Sequence, residues 1–154
     1  MSARQPAELY VVRPEPTEWD GALLASGAHL SSSSYREMAT EITAGHVGLA
    51  VCRADAGPSL RASVPTKIAE FLACGRPVVV NAGLGDMDHL LAEFACGVVV
   101  RETSDEGVQL AAEDLIELLK DPDLADRCRT LAERHFDIER GVDDLLGVYR
   151  ALGA

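Results

Sequence analysis

The chain has 154 residues, 47% of them hydrophobic, which suits one domain with a substantial core. Fourteen basic residues against 25 acidic ones give a net charge of −11, and this argues against a nucleic-acid binder without excluding a local phosphate site. No apolar run approaches the roughly 20 residues of a membrane span, and Met1–Pro6 lack the apolar segment of a signal peptide, so a cytoplasmic protein is expected.

Residues 2–7 read as a lead-in to a strand over Leu9–Val12, which Pro14 and Pro16 end. Thr17 and Asp20 form a weak capping box for a helix carrying Trp19, Leu23 and Leu24, closed by Gly27. His29-Leu30 falls in a second strand. Ser34 and Glu37 form another capping box, ahead of a helix with Tyr35, Met38, Ala39 and Ile42 as its buried stripe. Val47–Cys52 is a third, continuously apolar strand. Arg53 to Val64 shows no periodicity. It carries Arg53, Asp55 and Arg61 after the carboxyl end of a strand, the edge at which open parallel sheets bind ligands. Arg61 is there either an anion ligand or a solvated loop charge.

The stretch Ser63-Val-Pro-Thr-Lys-Ile-Ala-Glu-Phe-Leu-Ala-Cys-Gly75-Arg-Pro-Val-Val-Val80 is the most informative. Pro65 fits the first turn of a helix, Ile68, Phe71 and Leu72 recur at helical spacing, and Gly75 with Pro77 ends it. Val78–Val80 is then a strand covered on both faces. Lys67 and Glu70 lie three apart on one side of the helix, near an N-terminus whose free N–H groups attract anions. They are either a solvated ion pair or a phosphate contact and a hydroxyl acceptor.

Next come Asn81-Ala-Gly83-Leu-Gly85-Asp86, with Asp86 either capping a helix through His89–Leu91 or facing a ligand. Gly97–Arg101 is the last strand. Thr103 and Glu106 cap a helix with Val108, Ala112, Leu115, Ile116 and Leu119 on its packing face. Two further helices carry Leu124, Cys128, Leu131 and Phe136, then Ile138, Val142, Leu145 and Tyr149. Alternating strands and helices with a helical tail predict a doubly wound, mostly parallel α/β sheet. Cys52, Cys74, Cys96 and Cys128 are widely spaced in apolar elements and suggest buried thiols in a reducing compartment, with no zinc site or disulfide framework. The four histidines show no partner at a ligand spacing, and no metal is expected.

The run Pro65-Thr-Lys-x-x-Glu70-x-x-Ala73-x-Gly75-x-Pro77-Val78-Val79, with Gly85-Asp86 and Gly97–Val100, resembles the donor-binding half of GT-B glycosyltransferases, in particular the group 1, GT4-like enzymes. The resemblance covers roughly residues 8 to 151. It implies a Rossmann-like domain over 1–154 that binds a nucleotide-sugar as co-substrate and transfers a hexose from a nucleoside diphosphate to an acceptor hydroxyl. It also implies that the helix N-terminus holds the diphosphate, that Glu70 binds the ribose, and that the loop with Gly85 and Asp86 lies beside the donor site, facing the sugar; the donor-binding residues expected are Arg61, Ser63, Val64, Pro65, Thr66, Lys67, Glu70, Gly85 and Asp86. Many members carry a second glutamate ahead of the ribose-binding one; this loop offers Ser63 instead, in a Ser-x-Pro variant.

The same resemblance implies that the first βα unit of the domain and the acceptor-binding N-terminal domain are missing from this stretch. The isolated chain is therefore expected to be inactive, with no catalytic residue or acceptor to name. In a 3-2-1-4-5-6 strand order the lost strand is central. Its neighbours, Leu9–Val12 and Val47–Cys52, then close up or accept a strand from elsewhere, which predicts a homo-oligomer or a partner chain. A non-catalytic nucleotide-binding or protein-interaction module is the alternative. A phospho-accepting receiver domain would need Asp55 as acceptor but lacks the acidic pair after the first strand.

Overall fold

A computed structural model describes residues 6–13, 15–52 and 57–153; the lead-in over 2–5, Pro14, Arg53 and Asp55 lie outside the described residues. The described chain contains β1 (Tyr10–Val12), α1 (Asp20–Ala25), β2 (His29–Ser31), α2 (Met38–Ala44), β3 (Gly48–Ala50), α3 (Pro58–Arg61) and α4 (Thr66–Ala73). It continues with β4 (Val78–Asn81), α5 (Met87–Phe94), β5 (Gly97–Val100), α6 (Asp105–Leu118), α7 (Leu124–His135) and α8 (Ile138–Ala151). Contacts divide it into two compact units, Met1–Gly45 and His46–Ala154. All strand pairs are parallel, and each sheet lies within one unit.

In the first unit β1 pairs with β2, Tyr10 opposite His29 and Val12 opposite Ser31. The expected Thr17 cap does not form. Trp19 takes the N-cap position without a side-chain bond, because Asp20 is engaged by Arg13, whose guanidinium donates to both carboxylate oxygens, and by the Thr17 hydroxyl at 2.9 Å. This fork holds the Asp20 carboxyl down to about 2. Only half of the second expected capping box appears. Glu37 accepts from the N–H and hydroxyl of Ser34, but α2 starts at Met38, and Tyr35 is fully exposed where a buried position was expected. Ile42 is buried as the helical stripe requires. Three histidines have neighbours where none was expected. His29 stacks on Tyr10 with ring centroids 4.6 Å apart; in the second unit His89 approaches Glu93 to 3.6 Å, and His135 meets the Phe94 ring edge-on at 5.6 Å.

The second unit is built around β4, between β3 and β5 in the order β3-β4-β5. Its four residues are all buried, as a continuous valine run covered on both faces should be. On one face Val78 and Val80 join Ile68 and Leu72 of α4, Leu90 and Leu91 of α5, and Leu131 of α7 in the main core. On the other, Val79 and Val98 pack with Ala111 of α6. Helices thus cover both faces, and the fold is a Rossmann-like, doubly wound α/β arrangement that ends in a helical tail. Phe71 can lie on β3 because residue 48 is glycine; a Cβ there would come within 2.3 Å of the ring. The end of α4 is a Schellman turn: Gly75, at φ 72°, donates to Leu72 O at 2.8 Å, and Arg76 donates to Phe71 O at 2.9 Å.

Several expectations shift here. The stretch after β3 contains the short helix α3, which starts with Pro58 as its first residue. Pro65 is the N-cap of α4 and Thr66 its first helical residue. Ser104, and not Thr103, caps α6 by accepting from the Gly107 N–H at 3.2 Å. Of the expected packing face Leu115 and Ile116 are partly buried, whereas Val108, Ala112 and Leu119 are exposed and Ala111 and Leu118 pack inward instead. The stripe on α8 forms as a helix face, but Ile138, Val142, Leu145 and Tyr149 are all solvent-exposed.

Two outcomes follow. Gly48→Ala should cost roughly 1–3 kcal/mol by overpacking Phe71, seen as a lower urea midpoint at unchanged slope; an unchanged midpoint would contradict the packing. The Asp20 carboxyl is depressed below its ordinary 3.8 to about 2, so its stabilisation is present above the ordinary value and disappears as pH falls through about 2. The Tm difference between wild type and Asp20→Asn should accordingly shrink on acidification through that window, and a constant difference would show that the pair contributes nothing.

Candidate functional site

The carboxyl ends of β3 and β4 and the amino end of α4 converge at one edge of the second unit, and a polar residue buried at that edge sets their spacing. Asn81, the last residue of β4, accepts the Cys52 N–H at 2.7 Å through Oδ1 and donates through Nδ2 to Ala82 O at 3.3 Å. It is 6% exposed and therefore has to spend its polar atoms on the protein. The result ties the segment leaving β3 to the loop leaving β4.

That loop, residues 82–86, then leans on the entry to α4. Gly85 donates to Leu60 O at 3.1 Å and has φ 51°; a Cβ on it would lie 2.7 Å from Val64 Cγ2 and 3.1 Å from the Ser63 carbonyl oxygen. Only glycine allows this approach in this backbone conformation. The structure thus brings Gly85 together with Ser63 and Val64. Asp88, which the sequence did not single out, holds the loop from the other side by accepting the Gly83 N–H at 3.1 Å.

Pro65 enters α4 with no side-chain cap, so the helix start keeps donors free. Ile68 donates back to Pro65 O at 2.9 Å; among the described residues, the N–H groups of Thr66 and Lys67 meet no backbone acceptor. The side chains of Arg61, Thr66, Lys67 and Glu70 form no hydrogen bond or ion pair with any described residue. The solvated Lys67–Glu70 pair that the spacing allowed is therefore not made. One cation, Lys67, and two backbone donors stand in the first turn of α4, with Arg61 at the end of the preceding helix α3, a combination suited to an anion.

Glu70 lies further along α4 and has different company. It borders a groove of about 440 Å³ between α4 and α7, with Ala73, Arg129, Glu133 and Asp137 also on its walls. Arg129 is itself paired with Asp126 at 3.0 Å, and Ala69, Ala132, Phe136 and Ile138 make much of the remaining wall apolar. The polar groups the groove offers are therefore mainly the Glu70, Glu133 and Asp137 carboxylates, which accept from hydroxyls and repel phosphates. Asp86 occupies the N-cap of α5 and is exposed, but its side chain accepts no capping bond; its carbonyl takes the N–H groups of His89 and Leu90. Among the described residues no cluster of three His, Cys, Asp or Glu side chains could hold a metal ion, and no helix is long and apolar enough to cross a membrane.

No protein-family model and no curated protein sequence matches the chain. Among solved structures it is similar to WaaG, a glycosyltransferase involved in lipopolysaccharide biosynthesis, with a TM-score of 0.56 and 23% identity over 82% of this chain. The match covers 34% of WaaG, so the chain spans about a third of the length of that protein. What the likeness shows is the fold: this Rossmann-like arrangement with its helical tail is the fold of part of a GT-B glycosyltransferase.

Proposed function

We propose that the chain is the donor-binding part of a group 1 glycosyltransferase, holding a nucleoside diphosphate-sugar from which a hexose passes to an acceptor hydroxyl. The observation that carries this reading is the uncapped start of α4, where the Thr66 and Lys67 N–H groups meet no backbone acceptor among the described residues and the Lys67 side chain has no partner. In the proposed complex the diphosphate lies on this helix end, with Lys67 and Arg61 neutralising it. As the sugar–phosphate bond breaks, negative charge grows on the departing diphosphate, and donors already fixed by the helix stabilise it without reorganising. Ser63, Val64 and Pro65 form the wall that Gly85 touches. The sugar lies over Gly85 and Asp86, and the ribose reaches back along α4 to the Glu70 carboxylate. The acceptor and any general base belong to a second domain in this reading, and the chain alone binds without turning over.

A second reading is a non-catalytic module that binds nucleotide or docks another protein. The exposed stripe along α8, with Ile138 at 79% exposure, favours it as an interaction surface.

Calorimetric titration with UDP, GDP and inorganic pyrophosphate separates the roles. Lys67→Ala should weaken all three by roughly tenfold or more, the scale of one charge-assisted hydrogen bond. Glu70→Ala should weaken the nucleotides similarly but leave pyrophosphate unchanged. Equal losses for nucleotide and pyrophosphate in Glu70→Ala would remove it as the ribose anchor, and undiminished binding in Lys67→Ala would remove the helix start as the diphosphate site.

A further inference from the structure

Among the described helices, α8 is the one whose every residue is exposed, and the exposure runs from Asp137 to Gly153. An isolated helix of 14 residues is marginal in water, and two interior glycines, Gly141 and Gly147, weaken this one further. The Asp137 cap, which accepts the Arg140 N–H at 3.0 Å, secures only the first turn. Packing on the outer surface is what the helix lacks.

That surface carries a regular seam. Ile138, Val142, Leu145, Tyr149 and Leu152 follow one another at spacings of four, three, four and three, the 3.5-residue period of two helices wound together. All five are between 48% and 79% exposed, and Leu146 and Val148 widen the seam on either side. Gly141 lies within it, three or four residues from Ile138 and Leu145, and a Cβ there would meet nothing within 4 Å. It leaves a hole of the kind that receives a side chain from a facing helix.

We propose that α8 pairs antiparallel with α8 of a second copy of this chain, so that the two stripes cover each other. This pairing does not depend on the donor-site reading. Area and charge select the occupant. The seven apolar residues leave roughly 800 Å² accessible on one copy, so mutual cover removes about 1,600 Å², the area of a standard stable interface. Charge along the helix is polarised: Glu139, Asp143 and Asp144, offset only by Arg140, occupy the first half, and Arg150 the last turn. Full antiparallel overlap sets Arg150 beside Glu139 of the other copy and opposes the two helix dipoles, whereas a parallel pair stacks acid on acid. It also brings Val148 of one copy to the Gly141 hole of the other, since both lie on the same flank. A membrane surface fits less well, because this polar face is net negative where interfacial helices are rich in Lys and Arg.

Sedimentation of the whole chain tests the pairing. The mass should rise with concentration from 16.4 kDa to twice that value and no further. Leu145→Asp, at a position exposed in the single copy, should stay monomeric, with α8 amides that exchange fast and β4 amides as slow as in wild type. Gly141→Leu, which fills the hole, should raise the dissociation constant about tenfold or more, while Gly147→Leu on the opposite face leaves it unchanged. Arg150→Glu should weaken the dimer severalfold and Glu139→Arg added to it should restore the affinity, because the antiparallel pair alone brings these residues together. A chain that is monomeric at every concentration would overturn the proposal. So would α8 amides that remain protected in Leu145→Asp, which would mean that the chain covers its own helix, or tighter association in both leucine variants, the sign of unspecific adhesion.

Discussion

The second unit is positioned from a single strand. β4 is buried at every residue, its valines divide between two helical layers, and its last residue, Asn81, is the one buried polar residue among the described residues. A buried amide without partners would cost a few kcal/mol, on the order of 1–3. Here that constraint becomes positional. Asn81 satisfies itself on the Cys52 N–H and the Ala82 carbonyl, and so fixes where the chain leaves β3 and how the next loop starts. Gly85 then meets Ser63 and Val64, and the start of α4 is left open to one side. The candidate site follows from how one strand end is satisfied.

An anion site in a chain of net charge −11 requires local separation of charge. The start of α4 has it: Lys67 carries no internal partner among the described residues, and the helix adds partial positive charge at the same point. The groove past Glu70 has the opposite character, with Glu133 and Asp137 beside it. A ligand with a charged end and a hydroxylated end fits this polarity better than a purely anionic one. Net charge speaks to solubility and long-range steering, while the local field decides what docks.

The parts of the fold that repeat a strong period were legible in the sequence. Val78–Val80 as a two-sided strand, Ile68 and Leu72 as the buried face of α4, and Gly75 as its left-handed stop all stand as the residue types dictate. Caps were less legible, because Ser, Thr and Asp compete for neighbouring positions by fractions of a kcal/mol. Asp20 went to Arg13 and left Thr17 without a capping role, and Ser104 displaced Thr103. The buried face of α6 centres on Ala111, which hydrophobic spacing alone did not distinguish from Ala112. Of the candidate site, the helix start was readable, whereas the approach of Gly85 to Ser63 and Val64, and the tertiary hydrogen bonds of Asn81 and Asp88, were not. An asparagine closing a run of three valines is the signal that marks Asn81; Asp88 left none.

The most direct test of the central claim is the backbone amide spectrum of the isotope-labelled chain during titration with a nucleoside diphosphate. If the start of α4 is the diphosphate site, the largest shifts fall on Thr66 and Lys67, with smaller ones over Ser63–Val64 and Gly83–Gly85. Shifts confined to the groove lined by Glu133 and Asp137, or no saturable shifts at all, would contradict it.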